Sequence, residues 1–287
     1  MEYKIILGDA LKEMAKLPDH SIDHIITDLP YGITGNKWDE VIPLNDMWEQ
    51  FNRLIKNKGN IVLFSSQPFT SALIMSNLQN FKHEMIWNKT IGSGQLLSKY
   101  RPMKHHENIL IFQKKNNKGT LIYNPQFTEG KPYTQTRTGV EGEGNNYGKQ
   151  KAFTAINKGI RFPKSVIEFS NPRIKGGHPN HKHIPLMEYL VKQYTNENDV
   201  ILDCCMGGGS TGIACQNLNR NFIGIELDKK YFNQAKDWLE TNQTYTVIDN
   251  EDITIIHKNN ISIEGLFDIN NSSLLEDINK INKLFDE

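Results

Sequence analysis

No run of about 18 apolar residues occurs in these 287 residues, so a membrane-spanning helix is not expected. The start, Met1-Glu2-Tyr3-Lys4, lacks the basic-then-apolar order of a secretory leader. Cysteine is scarce. Cys204, Cys205 and Cys215 form an odd set whose adjacent pair is badly placed for a staple, and they read as reduced thiols. The expected location is the cytoplasm. Net charge is missing too: Lys and Arg number 33, Asp and Glu 33, so composition alone gives no reason to invoke nucleic acid. Nor is an internal repeat visible.

Charge is nevertheless unevenly placed. From Lys114 to Lys182 there are 13 Lys and Arg against 4 acids, whereas Gln243 to Glu287 holds 3 Lys against 9 acids. A basic surface able to meet phosphates and an acidic tail that avoids them follow from this asymmetry, although solvated loops would show it as well.

Short apolar runs alternate with longer amphipathic stretches, the pattern of a doubly wound α/β fold with a mostly parallel sheet. Expected strands are Tyr3 to Leu7, His24 to Thr27, Ile61 to Phe64, His83 to Trp87, Asn108 to Phe112, Val200 to Leu202 and Phe222 to Ile225. Expected helices are Ala10 to Leu17, Trp48 to Ile55, Ile184 to Tyr194, one from Ser210, and Lys229 to about Leu239. Lys114 to Gly177 breaks the rhythm and reads as an inserted lobe or long loops. The expected organisation is therefore 1–113 and 178–242 as two halves of one domain, 114–177 inserted between them, and 243–287 as an acidic extension. In that extension Leu274, Leu275, Ile278, Ile281, Leu284 and Phe285 fall at helical spacing, a packing or partner surface rather than a catalytic element.

Ligands of open α/β sheets sit beyond the carboxyl ends of the strands. Asp9, Asp28, Asp203 and Glu226 all stand at expected strand ends, so four acids converge on one edge; a single acid there would often be only a helix cap. Gly207, Gly209 and Gly212 spell Gly-x-Gly-x-x-Gly, and Glu226 lies on the next strand, placed to accept two ribose hydroxyls. That pattern suits a nicotinamide dinucleotide as well as S-adenosylmethionine. Asp203, four residues before the glycines, favours the latter, since its carboxylate suits a cationic amino-acid end better than a pyrophosphate.

Asp28-Leu29-Pro30-Tyr31 suits a flat aromatic amine. The Asp28 carboxylate and the Pro30 carbonyl offer acceptors for two amine hydrogens, and Tyr31 offers a ring for stacking, with the proline stiffening the segment. An ordinary strand-to-turn transition would also use these residues.

The segment resembles the Asp-Pro-Pro-Tyr motif of DNA adenine-N6 methyltransferases, with Leu29 in the first proline position. Asp203 to Gly209 resembles that family's donor loop, with Cys205 where Phe is usual. His178-Pro179-Asn180-His181-Lys182-His183 resembles, at His178, Pro179 and Lys182, the segment that closes over the methionine end of the donor. Together these identify the chain, from about Lys4 to about Trp238, as a member of the DNA adenine-N6/cytosine-N4 amino-methyltransferases, in the motif order of the β class.

The resemblance implies a Rossmann-like fold, S-adenosylmethionine as cofactor and DNA as partner. It implies a target-recognition region at 114–177, where Arg137, Arg161 and Arg173 are candidate readers; Trp38 and Tyr100-Arg101-Pro102 are candidates for the edge of the target pocket or for simple loop packing. Asp28, Pro30 and Tyr31 take the catalytic role. Asp9, Asp28, His178, Lys182, Asp203, Cys205, Gly207, Gly209 and Glu226 face the donor, with Asp9 toward its adenine. Asp28, where cytosine-N4 enzymes commonly carry Ser, favours adenine and leaves cytosine open. No metal site is expected, since no carboxylate or Cys stands at suggestive spacing from His178, His181 and His183. A catalytically silent DNA-binding homologue and a nicotinamide-dependent oxidoreductase remain alternatives. A cognate restriction endonuclease and a homodimer are further partners left open.

Overall fold

The computed structural model describes residues 2–32, 39–114, 122–139, 151–170, 173–174, 181–241, 245–249 and 252–256. Along the chain run β1 (Tyr3–Leu7), α1 (Ala10–Met14), β2 (His24–Asp28), α2 (Leu44–Leu54), β3 (Ile61–Ser65), α3 (Phe69–Ser76), β4 (Phe81–Ser93) and β5 (Lys104–Phe112). Next come the short strands β6 (Thr128–Glu129), β7 (Tyr133–Arg137), β8 (Phe153–Asn157), β9 (Ile160–Arg161), β10 (Val166–Phe169) and β11 (Arg173–Ile174). The second half holds α4 (Ile184–Tyr194), β12 (Val200–Asp203), α5 (Ser210–Asn217), β13 (Asn221–Glu226), α6 (Lys229–Thr241), β14 (Tyr245–Asp249) and β15 (Asp252–Ile256).

Eight strands form one sheet in the order β1-β13-β12-β2-β3-β5-β4-β10. Only β5 runs against its neighbours, so the sheet is mostly parallel as expected. Successive strand residues point to opposite faces, and both faces are covered. Ile61 and Leu63 pack with Met47, Phe51 and Leu54 of α2 on one side. Val62 and Phe64 pack with Leu186, Leu190 and Val191 of α4 on the other. This double burial explains the near-continuous apolar runs of the central strands. The strand order reverses between β12 and β2, which places the topological switch point, and with it the expected ligand crevice, above their carboxyl ends.

Several boundaries differ from the sequence reading. Helix α1 ends at Met14 rather than Leu17, with Pro18 disfavouring helical geometry just before it. Helix α2 begins at Leu44, directly after Pro43. Helix α3 was not anticipated, because Phe69 to Ser76 is apolar nearly all round and carries little helical periodicity. Val166–Phe169, expected inside the insertion, is the eighth strand of the sheet, parallel to β4. Among the other described residues of the insertion, β6 pairs with β9 and β7 with β8 as two antiparallel ribbons. A separate compact unit contains β11, β14 and β15 in an antiparallel sheet, so Arg173–Ile174 joins the extension rather than the insertion. The stretch from Leu274 to Phe285, His178 and Trp38 lie outside the described residues.

Candidate active site

Strand β2 drives Ile25, Ile26 and Thr27 through the core and releases Asp28 at the switch point. Leu29, in the position where the resemblance expects proline, is buried among the α1–α3 side residues and anchors the turn by packing. Asp39 then fixes the backbone, since one of its oxygens accepts from both Tyr31 N–H at 2.8 Å and Gly32 N–H at 2.9 Å. Gly32 has φ +68, a left-handed conformation that costs glycine little. The Tyr31 ring stacks on Phe69 with centroids 5.4 Å apart. Nothing in the sequence pattern had marked Asp39 or Phe69.

Both oxygens of Asp28 are engaged. The Tyr31 hydroxyl donates to Oδ1 at 2.6 Å, and the Lys182 ammonium donates to Oδ2 at 2.6 Å. Lys182 Nζ also lies 3.3 Å from Oε2 of Glu107, whose Oε1 pairs with Lys89. Burial raises the Asp28 carboxyl above its ordinary value; Lys182 opposes that rise and Glu107 adds to it. Glu107 is held below the usual carboxylate range despite burial by Lys182 and Lys89, and Lys182 is pushed up because its two carboxylates outweigh burial. Burial and the Asp28 charge push Tyr31 well up, keeping it a neutral donor. Lys182, expected at the donor's methionine end, is therefore paired with Asp28 in the clamp formed by Asp28 to Tyr31. Glu107 and Lys89 were missed; the available signal was a charged residue leading the apolar run Asn108 to Phe112.

The half of the site expected to face the donor is built from β12, β13 and the loop between β12 and α5. Asp203 is buried and accepts from Thr27 Oγ1 at 2.7 Å, from Cys205 N–H at 3.1 Å and from the Thr211 hydroxyl. Even so, burial lifts its carboxyl to about 6. Glu226 accepts from Gly207 N–H at 2.9 Å and Asp228 N–H at 2.7 Å, so the acid that ends β13 also ties down the glycine loop. Asp9 caps α1 by accepting from Lys12 N–H at 3.0 Å while lining the same cleft. The Cys205 thiol is pushed well up by the adjacent Cys204 sulfur and by burial, and is therefore neutral.

Gly209 was expected to face the donor. It is not part of the cleft wall; it enters α5 at φ +87, where an added Cβ would meet Ala235 of α6 at 3.0 Å. Its small size thus serves helix packing, as does Gly212, where a Cβ would strike Phe222. Gly207, by contrast, lines the cleft at φ +52.

Clamp and loop open into one cleft of 1380 Å³, whose walls include Asp9, Asp28, Tyr31, Lys182, Asp203 and Glu226. Carboxylates fixed by backbone N–H groups suit a ligand bringing hydroxyls and positive charge, and the volume admits a nucleoside together with a second flat group. Tyr100 does not line it, whereas Arg101 and Pro102 do. In the insertion, the Arg161 guanidinium lies 4.8 Å over Tyr133 and donates to Asn157 and the Lys131 carbonyl, so this candidate reader is engaged locally. Arg137 lies 5.9 Å over Phe153. Among the described residues no cluster suits a metal, and no helix is long and apolar enough to cross a membrane.

The profile of the N6/N4 methylases, described as DNA methylase, matches residues 22–237. The chain belongs to the N6/N4 DNA methylase family. It is similar to the type II methyltransferase M.HpaI of Haemophilus parainfluenzae, 28% identical over 84% of this chain and 75% of that one. The DNA adenine methyltransferase YhdJ of Escherichia coli is 27% identical, covering 84% of each chain. Among solved structures, the M1.HpyAVI–SAM complex is 26% identical with a TM-score of 0.56, covering 82% of this chain and 98% of that one. This methylase uses S-adenosylmethionine, and the nicotinamide alternative falls away.

Proposed function

We propose that this DNA methylase transfers a methyl group to the N6 amine of adenine. The carrying observation is Asp28, a partly buried carboxylate at the switch point whose two oxygens already bind an O–H and an N–H donor. An exocyclic base amine is a poor nucleophile because its lone pair is delocalised into the ring. Asp28 and the Pro30 carbonyl supply acceptors for its two hydrogens and draw the nitrogen toward tetrahedral geometry, which frees the lone pair. Tyr31, stacked on Phe69, offers the flat face against which the base rests. Reaching this pocket requires the target base to leave the duplex stack. Bound in the same cleft, S-adenosylmethionine supplies an electrophilic methyl group.

Residues Glu226, Gly207, Asp203, Cys205 and Asp9 would hold that donor, with Glu226 on the ribose. After the attack a proton leaves the amine, and Asp28 or solvent receives it. Support for adenine comes from Asp28 in place of Ser and from the name of the Escherichia coli relative. Nucleoside digests of DNA incubated with the enzyme and S-adenosylmethionine should contain N6-methyladenine by mass spectrometry. N4-methylcytosine in its place would overturn the base assignment and leave the clamp chemistry standing.

A further inference from the structure

The Lys182 ammonium occupies an oxygen that the chemistry above reserves for a nitrogen donor. It is buried, 8% exposed, and lies 5.0 Å over the Phe64 ring and 5.9 Å over Trp87, so water is a poor substitute partner. A buried ammonium cannot leave one carboxylate without another within reach. Glu107 supplies that second seat. Its Oε1 is taken by Lys89 from β4, which turns Oε2 toward Lys182.

We propose, on the reading that Asp28 receives the target amine, that Lys182 is a positioning residue which keeps Oδ2 of Asp28 occupied until a base enters, and that Glu107 retains the displaced ammonium. Both donors are N–H groups competing for one oxygen. The base therefore replaces a contact of like chemistry, and Asp28 is spared an unpaired charge before the base arrives. Four groups face Asp28, three of them from further parts of the chain: Lys182, Glu107 on β5 and Asp203 on β12, with Tyr31 in its own turn. Of these, Lys182 and Tyr31 favour the charged form, while Glu107 disfavours it together with burial.

The test uses Lys182→Met, Glu107→Gln, the double variant and Lys182→Arg in the full chain. Lys182→Met should move the acid limb of kcat/KM to higher pH by about one unit or more, and adding Glu107→Gln should bring much of it back. Glu107→Gln alone leaves the ammonium a single charged seat, so the KM for DNA should rise about tenfold while affinity for S-adenosylmethionine stays within about threefold. A purely structural ion network would lower stability without moving the acid limb. An unmoved limb in Lys182→Met overturns the proposal. So does a loss of donor affinity above about tenfold, which would return Lys182 to the methionine end. Should Lys182→Met fail to fold, Lys182→Arg keeps the cation but grips Asp28 through a fork, so an unchanged KM for DNA would overturn the idea equally. Carbon-13 titration of the Asp28 carboxyl in the free protein needs no turnover. It decides the electrostatic part even if wild-type enzyme methylates no DNA, the result that would sink the functional reading itself.

Discussion

Thr27 donates its hydroxyl to Oδ1 of Asp203 at 2.7 Å, tying the residue before the clamp to the residue before the glycine loop across the reversal in strand order. The two halves of the site thus share one buried contact, and its carboxylate titrates unusually.

Because burial lifts Asp203 to about 6, the folded protein binds that proton more tightly than the unfolded chain, where Asp titrates near 3.9. Relative to Asp203→Asn, wild-type stability should therefore rise as pH falls through about 6 and level off below about 4, by up to about 3 kcal/mol. Urea unfolding of both proteins across this range measures it. A difference that shrinks on acidification would mean that Asp203 is not a carboxylate of raised pKa.

Glu226→Ala should weaken S-adenosylmethionine binding at least tenfold, since each hydrogen bond to a charged group is worth about 1.5–3 kcal/mol. Glu226→Gln should rescue little, because its amide nitrogen would face a backbone N–H of Gly207 or Asp228. Calorimetry reads both, and unchanged affinity would remove Glu226 from the site.

Asp28→Ala should abolish methyl transfer while leaving donor affinity largely intact. Radiolabelled methyl incorporation and donor titration on the same preparation separate the two. Retained full activity would refute the clamp mechanism.

With the ring alone in mind, Tyr31→Phe would be mild. The hydroxyl on Asp28 changes that expectation: Phe should lower transfer by about 1.5–3 kcal/mol, roughly ten- to a hundredfold. Tyr31→Ala should fall further through lost base stacking, worth about 1–3 kcal/mol. Single-turnover rates at saturating DNA distinguish them, and equal rates for Phe and wild type would show that the hydroxyl is idle.

DNA affinity should drop steeply with salt, since Lys and Arg between Lys114 and Lys182 displace counterions from phosphates. Truncation after about residue 243 should leave that slope unchanged. A folded, truncated protein that no longer binds DNA would reassign the two regions.

The central strands were readable because double burial writes them as unbroken apolar runs, and Ile184–Tyr194 because Pro185 and an apolar stripe mark a helix. Asp28, Asp203 and Glu226 were readable because the carboxyl end of a strand follows from the strand itself. The site's electrostatics was not. Lys182 meets Asp28 across 154 positions and Glu107 arrives from a third strand, and no local periodicity records such meetings. The same holds for Gly209, whose sequence context spells a ligand loop while its neighbour in space is Ala235.

Phe112 pairs with Phe81 and Val166 with Ile86, so the chain leaves and rejoins the sheet on either side of β4, at points about 20 Å apart. Closing a loop between such fixed ends costs only about 0.6 kcal/mol more for each doubling of its length. Ile122 and Asn124 are bonded to Asn60, Gln193 and Thr195 of the core, so it is the stretch beyond them that can be lengthened, shortened or exchanged as a cassette while the catalytic core keeps its packing.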